Sequence, residues 1–226
     1  MKLLSVGNPK LMKGEKKGYL SFVLHLSPAD VSGYETCPKR TAGCTAACLN
    51  TAGRGGMFKP GGTNTIQEAR KRKTKMFFEQ REEFLAALES DIKKGIKQAE
   101  KKGMTPAFRL NGTSDLAWEK YGIIQKFPEV QFYDYTKIRN RKVADLPNYH
   151  LTFSKADGND MDVRLAASAG MNVAVVFDKL PETYIGREVI DGDDTDLRFL
   201  DKKGVVVGLK AKGRARKDVS GFVVKV

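Results

Sequence analysis

Three cysteines, Cys37, Cys44 and Cys48, fall within one stretch of twelve residues, and the chain has no others. Between them lie Pro38-Lys39-Arg40-Thr41-Ala42-Gly43 and Thr45-Ala46-Ala47. A lone buried cysteine behaves as a small apolar side chain, whereas several in a loop of Gly, Thr and basic residues read as ligands. The other readings are one disulfide with a thiol left over, or three unrelated thiols. Thiolates are soft ligands, which points to zinc or to an iron–sulfur cluster. Structural zinc requires a closed shell of four, and His25 and His150 are the only histidines that could complete a Cys₃His site. Three thiolates alone hold a cubane [4Fe–4S] cluster whose fourth iron is left for a substrate or cofactor.

Polar clusters elsewhere offer acid–base and binding chemistry. Asn111-Gly112-Thr113-Ser114-Asp115 contains a carboxylate that could serve as general base or nucleophile, or merely cap a helix. Tyr135-Thr136-Lys137, Ser154-Lys155 and Asp178-Lys179 add ammonium, hydroxyl and carboxylate groups. Asp191-Gly192-Asp193-Asp194-Thr195-Asp196 has four carboxylates in six residues, either a Mg²⁺ or Ca²⁺ site or a solvated acidic turn. There is no Walker A pattern, no HxE with PCxxC deaminase signature and no GxSxG elbow.

The elements that must position these residues are legible from periodicity. Residues 1–18 read as an irregular basic lead-in with Asn8-Pro9 as a turn signal, and 19–26 as a buried strand. Residues 27–65, too long for a mere connection, form the cysteine loop that would bind metal. Residues 66–102 read as a long basic helix, or two, with Phe77, Phe84, Leu85, Leu88, Ile92 and Ile96 as the buried stripe. From 103 to 226, short apolar strands alternate with polar turns and helical segments, the latter expected at 117–127, 137–145 and 160–169. Each strand runs into one of the polar clusters. The expectation is a single α/β domain, a parallel-strand partial (βα)₆ barrel with the cysteine loop after its first strand. In such folds ligands sit at the carboxyl ends of the strands. Asn111, Ser114, Asp115, Tyr135, Lys137, Ser154, Lys155 and Asp178 should then face the thiols.

Forty Lys and Arg against 27 Asp and Glu give a formal charge of +13, which favours a polyanionic partner, DNA or RNA, over a merely soluble surface. Hydrophobic content of 41% with 30% charged residues is ordinary for a globular chain. No apolar run approaches the roughly 18 residues of a membrane span, and the first residues lack the apolar core of a signal peptide. The expected location is the cytoplasm, where thiols stay reduced.

Several motifs together resemble the phage "gene product 88" family. They are Thr36-Cys37-Pro38, Gly43-Cys44-Thr45-Ala46-Ala47-Cys48-Leu49-Asn50, Phe108-Arg109-Leu110-Asn111-Gly112-Thr113-Ser114-Asp115, Phe132-Tyr133-Asp134-Tyr135-Thr136-Lys137 and the acidic turn with Leu197-Arg198. That resemblance implies a phage origin, hence the host cytoplasm, and no particular reaction. A three-cysteine loop after the first barrel strand is also similar, more distantly, to the radical S-adenosylmethionine enzymes, whose spacing is CxxxCxxC where this chain has Cx₆Cx₃C. This second likeness implies a [4Fe–4S] cluster on Cys37, Cys44 and Cys48, with S-adenosylmethionine held by the turn of Asn111, Gly112, Thr113 and Ser114. Tyr135 and Ser154 would join the cofactor contacts, and Asp115, Lys137, Lys155 and Asp178 the catalytic set. The expected function is an iron–sulfur enzyme that modifies a nucleic acid or nucleotide. The alternatives are a zinc-stabilised nucleic-acid-binding protein without catalysis, and a base-exchanging transglycosylase with Asp115 or Asp178 as nucleophile.

Overall fold

The computed structural model describes the whole chain except residues 7–8, 58–61 and 63. Asn8 of the expected turn signal and part of the 27–65 loop therefore lie outside the described residues. The lead-in is partly regular, with β1 (Leu4–Ser5) and α1 (Pro9–Glu15). Strand β2 (Tyr19–Leu24) follows, and then the cysteine segment with α2 (Ala42–Ala46) and 3₁₀ turns at Leu49–Thr51 and Gly53–Gly56.

The long basic segment forms two helices, α3 (Thr65–Glu79) and α4 (Arg81–Lys101). Asn64 caps α3 by accepting from the N–H groups of Ile66 and Gln67. The break is at Gln80, whose φ of −138° and ψ of 60° leave the helical region, and Arg81 lays its guanidinium over the Phe77 ring at 3.9 Å. The remaining elements are β3 (Thr105–Arg109), β4 (Gln131–Thr136), β5 (Tyr149–Ser154), α5 (Asp160–Ser168), β6 (Val173–Phe177), β7 (Thr183–Tyr184), β8 (Arg187–Asp191), β9 (Val206–Lys210) and β10 (Val223–Val224).

The strands form one largely parallel sheet in the order β1-β2-β3-β4-β5-β6-β9-β8-β7, with β10 beside the end of β6. Sequential neighbours from β2 to β6 are what a barrel would show. Here, however, the sheet is open: among the described residues the edge strands β1 and β7 pair only with β2 and β8. Helices expected at 117–127 and 137–145 are absent. The first is a 3₁₀ turn at Trp118–Tyr121, ended by Gly122 in the left-handed region at φ 71°. The second stays irregular because Arg141 turns inward, 3% exposed, to pair with Glu119 and donate to Tyr149 Oη. That tertiary pairing overrides a weak helical preference.

Register assigns the two faces. Leu20, Phe22 and Leu24 of β2 pack with Phe108, Phe132 and Leu151 against Phe77, Phe84, Leu88 and Ile92 of α3 and α4. Gly95 lets α4 approach closely, since a Cβ there would lie 3.0 Å from the Phe108 ring. The alternate residues, Ser21, Arg109, Tyr133, Tyr135, His150, Thr152 and Ser154, point to the other face. That face is covered by residues 192–201: Asp196 pairs with Arg109 at 2.9 Å, Phe199 meets the rings of Tyr19 and Tyr133, and Arg198 is fully buried. No described helix is long and apolar enough to cross a membrane.

Candidate active site

The polar face opens at the carboxyl ends of the strands into a cavity of about 310 Å³. Strand register explains its lining. Arg109 of β3, Tyr135 of β4, Ser154 of β5, Ala174 and Val176 of β6 and Leu209 of β9 share one face, and each is at or near the end of its strand. The loops beyond add Cys37, Cys44, Cys48, Asn111, Gly112, Thr113, Ser114, Asp115, Lys137 and Lys155.

The cysteine segment is held from across the molecule. Thr41 caps α2 by accepting from the Cys44 N–H, and Asp157, in the loop after β5, accepts from the N–H groups of Gly43 and Cys44 at 3.0 and 3.1 Å and from the Thr41 hydroxyl. Burial alone would raise the Asp157 pKa, but these hydrogen bonds outweigh it and hold the carboxyl below its ordinary value. Gly43 makes room for this clasp, because a Cβ there would stand 2.0 Å from Ser220 Oγ and 2.6 Å from Asp157 Oδ1.

All three cysteines are free thiols. Cys37 Sγ accepts from the Ala29 N–H at 3.4 Å, and Cys48 Sγ from the Asn50 N–H at 3.5 Å. Burial pushes the Cys37 thiol up to about 11 and raises that of Cys48, since a thiolate is costly away from water. Lys137 lines the cavity with them. Burial opposes its ammonium, but Cys44, Asp115 and Cys37 outweigh that and hold its pKa above the usual lysine value. Among the described residues, no three His, Cys, Asp or Glu side chains are grouped as a metal ion would require. The thiols share a cavity without converging on a point.

The turn at 111–115 is braced from within. Asn111 Oδ1 accepts from Ser114 Oγ, the Leu116 N–H and Trp118 Nε1, while its amide donates to the Leu116 carbonyl. The Asn111 N–H donates to Asp134 at 2.7 Å. Gly112 N–H is taken by the Leu24 carbonyl and the Thr113 hydroxyl by that of Leu26. The Asn111 side chain and these N–H and O–H donors are therefore engaged by the protein. Asp115 differs: Oδ2 accepts from the Lys137 N–H at 2.7 Å, while buried Oδ1, 3.7 Å from Arg141, has no hydrogen-bond partner. Burial raises its pKa.

Other expected residues divide. Lys155 lines the cavity, but its ammonium points to the carbonyls of Ala156 and Gly221 and to Asp160 at 3.5 Å, a structural arrangement. Asp178 is outside the cavity. It is exposed, and its Oδ1 accepts from the N–H groups of Lys179 and Val226, which pins the last residues. Neither His25 nor His150 lines the cavity. Burial, aided by Arg70, Arg109 and Lys73, lowers His25 to about 3 and so keeps it neutral. The acidic turn is a clasp of ion pairs: Asp191 with Lys210, Asp193 with Lys212, Asp194 with Lys17 and Asp196 with Arg109.

Sequence reading does not single out Arg109, Asp157 or Gly43. Arg109 could have been found from its alternation with Phe108 on β3. Asp157 grips a residue 114 positions away, for which a single sequence carries no signal.

Comparison with curated proteins and with solved structures finds no match. A family model described as Gene product 88 matches residues 2–226, nearly the full length. With that coverage, the chain belongs to the Gene product 88 family, the phage family whose motifs it carries.

Proposed function

We propose that the cavity is the active site of an enzyme that modifies a nucleotide or nucleic acid, with Cys37, Cys44 and Cys48 holding an iron–sulfur cluster. The observation that carries this reading is the presence of all three thiols, undisulfided, on one cavity at the carboxyl ends of parallel strands. Three thiolates suit a cluster with an open iron, and a Cys₃His zinc site is disfavoured because neither histidine lines the cavity to supply a fourth ligand. Burial makes the free thiolates of Cys37 and Cys48 costly, and a bound metal removes that cost by replacing the proton. When bound, the cluster supplies one-electron chemistry or an open Lewis-acidic iron.

The chain's own residues supply the rest. Lys137 balances negative charge at the thiols, and Asp115 offers an acceptor to a substrate proton. Phosphate is met at the rim, where the 3₁₀ turn Gly213–Lys217 places Ala215 against the cavity and leaves Arg214, Arg216 and Lys217 exposed. Lys210 and Lys212, by contrast, are paired with Asp191 and Asp193. Much of α3 is also engaged, with Arg70 donating to Asn50 and Lys73 to the Leu3 carbonyl.

The test is anaerobic reconstitution with iron and sulfide, followed by metal analysis and absorption spectroscopy. A brown protein with about four irons per chain is expected, lost on Cys44→Ser with the fold retained. Uptake of zinc alone, or of no metal, contradicts the reading.

A further inference from the structure

We infer that the floor of the cavity is a recognition subsite for a nucleobase carrying a ring carbonyl, entering base first; this rests on the reading of the cavity as a substrate site. Two polar atoms on the floor are buried without a hydrogen-bond partner, the Tyr135 hydroxyl and Arg109 Nε. Native proteins rarely leave such groups unpaired, and those that remain usually await a ligand, ion or water. Both side chains line the cavity, and Arg109 lies over the Tyr135 ring at 4.7 Å, so each holds the other in place.

Charge decides what these donors receive. Arg109 Nη1 is 2.9 Å from Asp196, which is 4% exposed and also lines the cavity. The pair is neutral together, and a phosphate or carboxylate on the floor would meet the Asp196 carboxylate. A neutral carbonyl acceptor meets no such opposition. Beside the donors stand the apolar side chains of Ala174, Val176, Leu209 and Phe222, a wall suited to the face of a flat heterocycle. Depth agrees with this orientation. Tyr135 lies within β4 and Lys137 just past its end at Thr136, two residues or roughly 7 Å further along the chain, so the floor lies below the level of Lys137. A base on the floor leaves its sugar and phosphate beside the cysteines and the basic rim.

Calorimetric titration of the purified full chain with uridine, guanosine and ribose 5-phosphate tests this. At least one nucleoside should bind saturably and ribose 5-phosphate should not. Tyr135→Phe should weaken the nucleoside about tenfold or more, the usual consequence of losing a buried hydrogen bond to a ligand. Because that hydroxyl has no protein partner, the same variant should melt at the wild-type temperature or above. Leu209→Phe, which narrows the apolar wall, should also weaken nucleoside binding. The inference is overturned if neither nucleoside binds, if Tyr135→Phe binds as wild type does, if it melts lower, or if it loses ribose 5-phosphate binding instead. Nucleoside binding that survives in C37S/C44S/C48S, with no iron taken up by wild type, removes the cluster and leaves the subsite. Iron uptake without nucleoside binding removes the subsite alone.

Discussion

At the scale of single residues, the cysteine segment depends on groups far from it in sequence. Gly43 is a steric requirement: the missing Cβ makes room for Asp157 and Ser220, and Asp157 then fixes the N–H groups that orient Cys44. Gly43→Ala should therefore destabilise the protein by about 1–3 kcal/mol, the usual cost of overpacking, and displace the Cys44 thiol. Alkylation of Cys44 by a small maleimide, followed by peptide mass spectrometry, should be faster in Gly43→Ala and in Asp157→Asn than in wild type. Unchanged rates would mean that the clasp does not position the thiol. Asp157 also sets a pH limit. Its pKa is lowered on folding, so its stabilisation is present above the unfolded value of about 3.9 and is lost as pH falls through the folded one.

Among the elements, β4 and the turn after β3 form the frame of the site. Asp134, fully buried on the apolar side of β4, accepts from the Asn111 N–H and from Tyr149 Oη at 2.8 Å. Burial pushes its pKa up to about 7, only partly offset by these hydrogen bonds and by Arg109. The sign follows from proton binding: between about pH 4 and 7 the folded state holds this proton more tightly than the unfolded chain, so stability falls as pH rises. In urea titrations, wild type should lose stability relative to Asp134→Asn across that window, and a difference independent of pH would show that Asp134 does not titrate there. The strands themselves were legible because alternation such as Phe108, Leu110 against Arg109 is a local signal. What was not legible is that residues 192–201 cover the polar face of the open sheet, through Asp196 and Phe199. Nor was the structural role of Asn111, whose partners Leu116 and Trp118 sit in a turn that reads as the start of a helix.

For the molecule as a whole, the net charge of +13 is not one uniform surface. Lys93, Lys94, Lys97 and Lys101 are exposed on α4, whose inner side packs on the apolar face of the sheet, whereas Arg214, Arg216 and Lys217 are exposed on the 3₁₀ turn whose Ala215 lines the cavity. If the partner is a nucleic acid brought to the cavity, Arg214→Glu with Lys217→Glu should weaken binding more than Lys94→Glu with Lys97→Glu. The slope of log K against log salt should also fall by about 2 in the first variant. Fluorescence anisotropy with a single-stranded oligonucleotide would measure both, and equal effects would detach the charge from the site. Cavity membership of the polar clusters followed from the rule that strand ends gather ligand groups, and it accounts for Asp115, Tyr135, Lys137 and Ser154. Asp178 escapes the rule because the chain's last residues fold back on it. The central claim is that Cys37, Cys44 and Cys48 act together as one cluster site. Iron and sulfide stoichiometry after anaerobic reconstitution, compared across wild type and the three single Cys→Ser variants, tests it most directly. About four irons and four sulfides per wild-type chain, with each single variant losing the cluster, is the predicted result. Iron that stays at the wild-type level in any one variant, or a wild-type chain that takes up none, would contradict it.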